Sequence, residues 1–356
     1  MRILQLIDSL QAGGAERMAV NYANALQKKI GYSALCTTRE EGQLKAMLLP
    51  EVGYKFLGKR KALDFKAILK LRSYVKKNNI EFIHAHSSSY FTAVLLKFVY
   101  PRVKIVWHDH YGNSEFLRER KAGMVKLMSL FFSSIISVNK LLKEWAVDNL
   151  YCKKVVYLPN FASFSDSDFF EEPTMLNGLE NKRILCLANL RRQKGHFFLL
   201  DVAEKVKLQY PDWSFHLVGK NFEDDYSNSL RQTIIEKELN KNVFIYGSKD
   251  DVQNIIRQSE ICILTSESEG LPVALLEYGF NGKAVIMTKV GEIANVINDE
   301  NGLLVEYGDV KSFVQELSKQ ILDPELRIRL GQNLRKTIIE NYSQEKVLYN
   351  YIRLLK

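Results

Sequence analysis

The sequence predicts an α/β protein built as two doubly wound, Rossmann-like domains. Three observations carry this. Short apolar runs alternate with segments of helical period through the whole chain. The alternation comes as two series, separated by a stretch with no period. The length, 356 residues at 46% hydrophobic and 26% charged, suffices for two cores.

Taken in order, the first series reads "RILQLI", "YSALCTT", "EFIHAH", "KIVWH", "IISV" and "VVYLP". The second reads "RILCLAN", "SFHLVG", "VFIYG", "ICILTS", "KAVIMT" and "GLLVE". Apolar runs spaced by helix-length stretches imply βαβ units and parallel sheets covered on both faces. The seam falls in residues 159–182, rich in Ser, Asp, Asn and Pro. This gives an N-terminal domain over 1–165 and a C-terminal domain over 166–339. The last segment, 340–356, reads as a helix capped by Ser343 that packs back on the first domain. Its stripe is Val347, Leu348, Tyr351, Leu354 and Leu355.

Composition excludes several classes. No apolar run reaches the ~18 residues of a membrane span. The N-terminus "MRILQLIDSL" lacks the form of a signal peptide. Cys36, Cys152, Cys186 and Cys262 are scattered, and the expectation is free thiols in a reducing cytoplasm. Charge is uneven. Residues 1–165 hold 26 Lys and Arg against 12 Asp and Glu, whereas the rest is net acidic. The first half is therefore expected to meet something anionic.

Four places hold candidate chemistry. In "LIDSLQAGGAERMAV" a strand runs into Gly13-Gly14 and a helix opens. Such a loop either lets backbone N–H groups approach an anion or is a plain tight turn. In "LANLRRQKGH" a buried strand delivers Arg191, Arg192 and Lys194 to its C-terminal end, where open α/β sheets bind ligands. Cations suit a helix start only if an anion joins them. In "SESEGLPVALLEYGF" a strand ends, Glu269 lies in a loop, Pro272 opens a helix and Glu277 sits inside it. Both carboxylates could accept from the vicinal hydroxyls of a ribose or hexose, or could be ordinary surface and helix-start acids. Finally, His84/His86 and His108/His110 close two strands. With Asp109 they could hold a metal such as zinc, but the spacing fits no common zinc pattern. A cleft-lining role as donor, acceptor or weak base fits better.

Together these segments resemble the retaining family 4 glycosyltransferases of the GT-B fold, which implies that the two doubly wound domains face a central cleft. The resemblance runs through "GGAER", the H-x-H-S strand end, "WHD", "VVYLPN", "ANLRRQKGH", "TSESEGLPVALLE" and "NGLLV". Its most specific piece is E-x₇-E, Glu269 to Glu277, preceded by Ser266. The resemblance implies that Glu277 holds the donor ribose, Glu269 lies near the transferred sugar and Lys194 contacts the diphosphate. Gly270, Leu271 and Pro272 set a helix N-terminus against that diphosphate, and Ser248 joins the donor-binding set. Gly13 and Gly14 match the loop that approaches diphosphate or acceptor. His108 matches the histidine near the donor sugar; His110 competes for that role or, with Arg17, faces the acceptor. The family usually has Arg where this chain has Asn189, so Arg191 is expected to take the phosphate contact. "TKVGEIANVI" lacks the family's double glycine and is a loose match.

The resemblance further implies a metal-independent transfer with retention, from a nucleotide-sugar to a glycan or lipid-linked acceptor. No cofactor beyond that substrate is expected, and no nucleic acid. The basic segments "GKRK" and "RERKAGMVKLMSLFFSSI" suit an anionic membrane surface. In the latter, apolar Phe116, Met124, Leu127, Met128, Phe131 and Phe132 stand among Arg118, Arg120, Lys121 and Lys126; a core-packing helix is the other reading. The expected location is cytoplasmic, peripheral at the inner face of the membrane. Rival readings are an epimerase of the same fold and a non-catalytic phosphosugar- or glycan-binding protein.

Overall fold

The computed structural model describes residues 1–161 and 172–356. The chain divides into two units, Met1–Ser163 with Gln344–Lys356, and Phe164–Ser343. The expected seam at 165/166 lies outside the described residues.

The first unit is a seven-stranded parallel sheet in the order β3-β2-β1-β4-β5-β6-β7. Its strands are β1 Arg2–Ser9, β2 Tyr32–Glu40, β3 Gly53–Phe56, β4 Phe82–His86, β5 Lys104–Asp109, β6 Ser134–Ser137 and β7 Val155–Tyr157. Six match the apolar runs. The seventh, "GYKF", sits at an edge and is nowhere fully buried, so it carries no apolar run to read.

The second unit holds β8 Arg183–Leu187, β9 Ser214–Val218, β10 Val243–Gly247, β11 Ile261–Leu264, β12 Ala284–Thr288 and β13 Leu303–Val305. Their order is β10-β9-β8-β11-β12-β13, and all pairings are parallel. The chain thus winds one way from the first strand of each unit and then the other. Strand order reverses beside β1/β4 and beside β8/β11, the places where such sheets leave room for a ligand.

The C-terminal segment is cut at Ser343. The helix Pro324–Tyr342 ends there in extended backbone (ψ 145°), and a new helix, Gln344–Leu355, begins. Residues 340–342 therefore end the preceding helix rather than open the last one. The last helix buries Val347, Leu348, Tyr351 and Leu355 in the first unit, whereas Leu354, placed on its stripe by the sequence, is only half-buried.

One face of the first sheet hides a polar layer. Gln5 pairs in register with His84, and His86 with His108. Neighbouring residues of parallel strands share a face, and side chains two apart on a strand do too. Gln5, His84, His86 and His108 therefore stand together, each with 0% exposure. Tyr22 of the helix Gly14–Gln27 covers them, with ring centroids 5.0 Å from His84 and 5.8 Å from His108. Tyr351 of the last helix stacks on His84 at 5.0 Å. His84 Nε2 lies 3.1 Å from His108 Nδ1, and His86 Nδ1 lies 3.0 Å from His110 Nε2.

Burial holds His84, His86 and His108 well below the usual histidine range, with neighbouring histidines adding to the effect. His110 is pushed down to about 3 by burial. The folded layer is thus neutral, while unfolded histidines titrate near ~6.5. Below that pH the unfolded chain takes up protons that the folded one refuses. Stability is full above pH ~6.5 and is lost as pH falls, by up to ~1.4 kcal/mol per pH unit per histidine. Urea unfolding followed by tryptophan fluorescence is therefore expected to show a midpoint that drops from pH 7 to pH 5. His84→Asn is expected to flatten that slope, and a midpoint independent of pH would contradict the account.

Candidate functional site

In the second unit the two loops at the reversal of strand order meet. The loop after β8 carries Asn189, Arg191 and Lys194; the loop after β11 carries Ser266 and Glu269. Lys194 Nζ lies 2.6 Å from Glu269 Oε1, and the same oxygen accepts from Ser266 Oγ at 2.7 Å. The Glu269 side chain is 6% exposed and that of Lys194 22%. Backbone bonds join the loops as well: Glu267 N donates to Gln193 O at 2.8 Å, and Thr265 Oγ1 to Lys194 O at 3.2 Å.

Two glycines allow this closeness. Gly195 has φ +65°, and a Cβ there would stand 1.9 Å from Thr265 O. Gly291 has φ +54°, and a Cβ there would stand 2.1 Å from Glu269 O. Both need the left-handed region and the missing side chain. They clamp the 265–270 loop from its two sides. The second clamp is closed by Glu292 N, which donates to Gly270 O at 3.0 Å. The sequence carried Gly291 only inside a loose motif; the signal was a glycine closely following a buried strand.

The helix Val273–Phe280 opens after this loop, with Pro272 as its N-cap rather than in its first turn. Pro272 is extended there (ψ 129°), so the helical backbone begins one residue later. Glu277 lies in the helix, 8% exposed. Leu271 is buried in the turn. Free N–H groups at this end attract negative charge.

Of the other expected donor residues, Asn189 and Arg191 share the loop of Lys194, whose backbone N donates to Arg191 O at 2.9 Å. Asn189 Oδ1 accepts from Lys220 N at 2.8 Å and fixes the next strand's loop. Arg191 is exposed, its guanidinium 4.6 Å above the Phe222 ring. Ser248 follows β10, an edge strand separated from β8 by β9.

In the first unit, Gly13 is the N-cap of the helix Gly14–Gln27, and a Cβ added to Gly14 would meet nothing within 4 Å. Arg17 Nη1 turns to the Met47 sulfur at 2.6 Å. His108 is wholly enclosed; His110, one residue past β5, is the half-buried member of the four. Asp8, at the end of β1, accepts from Thr38 and, at 2.7 Å, from Ser88.

Arg120 corrects the expected membrane cluster. It is 10% exposed and grips Asp109 with both nitrogens, at 2.6 and 2.9 Å. Its guanidinium also lies 4.0 Å from the Trp145 ring centroid and 4.4 Å from that of Tyr111. Burial raises the Asp109 carboxyl, and Arg120 works against that rise. The pair pins the loop after β5, so Arg120 is no surface cation.

Nitrogens of His84, His86 and His108 lie within 4.8 Å of one another. Two zinc bonds of ~2.1 Å span at most ~4.2 Å, so this is a loose set. Several of these nitrogens are also engaged in the hydrogen bonds described above. A D-x-D triplet does occur in the chain, Asp166-Ser167-Asp168, and lies outside the described residues.

Comparison with known proteins agrees with this architecture. Residues 12–164 match the Glycosyltransferase Family 4 model, and residues 171–337 match Glycosyl transferases group 1. An uncharacterized glycosyltransferase of Haemophilus influenzae is 24% identical over 97% of this chain and 96% of its own. An Escherichia coli UDP-Gal:alpha-D-GlcNAc-diphosphoundecaprenol alpha-1,3-galactosyltransferase is 25% identical over 79% of this chain and 76% of its own. Among solved structures, Anabaena HepE in complex with UDP-glucose is similar in fold, with a TM-score of 0.81 and 18% identity over 100% of this chain and 99% of its own. The two family models between them span nearly all of the sequence, and the chain belongs to the family 4 glycosyltransferases of the GT-B fold.

Proposed function

We propose that this glycosyltransferase moves a sugar, with retention, from a UDP-sugar to a glycan or lipid-linked acceptor in bacterial surface polysaccharide synthesis. The observation that carries the reading is the Lys194–Glu269 pair at the strand-order reversal of the second unit. Support for the donor and acceptor classes comes from the E. coli relative, whose name states a UDP-galactose donor and a diphospholipid-linked acceptor.

Breaking a glycosyl–phosphate bond leaves negative charge on the diphosphate and an oxocarbenium-like sugar. Lys194 and the N-terminus of the helix Val273–Phe280 offer positive potential to that leaving group. Glu269 accepts from hydroxyls of the transferred sugar and holds Lys194 in place. Glu277 takes the ribose hydroxyls. The proton of the attacking acceptor hydroxyl passes to the departing phosphate on the same face. No step calls on a metal. Arg191 would have to leave the Phe222 ring to reach a phosphate, which makes it an auxiliary contact.

Membrane association belongs to the same reading. Met124, Leu127 and Leu130 are 55%, 54% and 58% exposed, and Phe98, 57% exposed, stacks edge-on with Phe131. Lys121 and Lys126 lie among them in sequence. The short helix Gly123–Met128 and the turn Ser129–Phe131 bury Val125 and Ser129, Phe132 just after them is buried too, and Met124, Leu127 and Leu130 are left outward. Apolar side chains with cations nearby suit an anionic leaflet. No helix among the described residues is long and apolar enough to cross the membrane.

Sugar release from a panel of UDP-sugars, with and without lipid-linked acceptors, tests the chemistry. Glu269→Ala is expected to lose about 10²-fold in transfer, and Glu277→Ala to raise the donor KM about tenfold. An unchanged rate for Glu269→Ala would sink the reading. Co-sedimentation with anionic liposomes tests the surface. Binding is expected at low salt and is expected to weaken in Met124→Glu/Leu127→Glu; no binding by the parent chain would refute it.

A further inference from the structure

The histidine layer fixes more than neutrality. His86 Nε2 lies 2.9 Å from Gln5 Oε1, and an amide oxygen only accepts. His86 must then carry its proton on Nε2. A neutral imidazole has one N–H, so His86 Nδ1 is a lone pair. Nδ1 lies 3.0 Å from His110 Nε2. His110 must therefore donate from Nε2, which leaves its own Nδ1 unprotonated. The second pair has no such anchor. Between His84 and His108, 3.1 Å apart, one nitrogen donates and one accepts, but among the described residues the outer nitrogens, His84 Nδ1 and His108 Nε2, have no partner. Either tautomer leaves that pair with one unpaired N–H.

We infer that Gln5 and His86 are positioning residues that lock His110 as a hydrogen-bond acceptor, with its Nδ1 lone pair available to a sugar hydroxyl. Gln5 has 0% exposure and cannot touch substrate directly; it acts through His86. His110 is the one half-buried ring of the four, and it lies just past the C-terminal end of β5. A ring locked in this way discriminates by chemistry. It accepts from a hydroxyl and offers nothing to a phosphate oxygen or an amide carbonyl, which have no proton to give. The use of this lone pair in transfer rests on the proposed function. The tautomer does not, because it can be read with no substrate present.

The test is nitrogen-15 NMR of the full chain labelled at histidine, at pH 7.5, with His110 and His86 assigned from His110→Gln and His86→Gln. Two-bond proton–nitrogen correlations distinguish the two neutral tautomers. Both rings are expected to be protonated at Nε2, with Nδ1 bare. Gln5→Met, which removes the acceptor, is expected to give His110 a mixture of tautomers. Gln5→Glu, which keeps an acceptor there, is expected to preserve the single form. A purely structural role for Gln5 would not sort the two variants in this way. A wild-type His110 protonated at Nδ1 would mean that the Gln5 amide is turned over and donates, reversing every proton in the chain, and would overturn the inference. So would a His110 spectrum indifferent to Gln5→Met. Should Gln5→Met fail to fold, the wild-type spectrum alone decides.

Discussion

The second unit is organised around one ion pair. Lys194 and Glu269 leave different strands, β8 and β11, and meet at 2.6 Å where the strand order reverses. The pair is mostly shielded from water, which strengthens its attraction but also makes each charge costly to leave alone. Nearby features serve the contact. Gly195 and Gly291 let the backbone close in, Ser266 supplies the second donor to Glu269, and the turn at Gly270–Pro272 delivers a helix N-terminus. On the proposed reading, an anionic ligand arriving here would meet a lysine held by Glu269 and the positive end of a helix. Preorganisation of that kind needs no rearrangement when charge develops on a leaving group.

The first unit solves a different problem. Its sheet carries Gln5 and three histidines into a fully buried layer, where an apolar core would normally stand. Such a layer survives only when its polar atoms bond to each other. Most do, in pairs, and Tyr22 and Tyr351 close it from the helices. The arrangement keeps four imidazoles neutral and ordered along β4 and the end of β5, and of the four only His110 comes near solvent.

Twelve of the thirteen strands were legible because buried parallel strands write themselves as continuous apolar runs. The missing one, Gly53–Phe56, lies at an edge with no buried residue. The pair at Lys194 and Glu269 was legible as two motifs, but their hydrogen bond was not, since the two residues are 75 positions apart. Arg120 misled for the same reason. Its sequence neighbours are surface cations, and its partner Asp109 is 11 residues away across a loop. The role of Gln5 had no local signal at all. It follows from a register pairing with His84, which only the sheet order reveals.

The account stands on Lys194 contacting a diphosphate from the second unit. Calorimetric titration with UDP and with uridine, into the parent chain and Lys194→Met, measures this directly. The account predicts that the parent binds UDP more tightly than uridine, and that Lys194→Met loses about 10- to 100-fold for UDP, the worth of a charged hydrogen bond, while uridine binding is unchanged. Equal UDP affinity in the two proteins would contradict it.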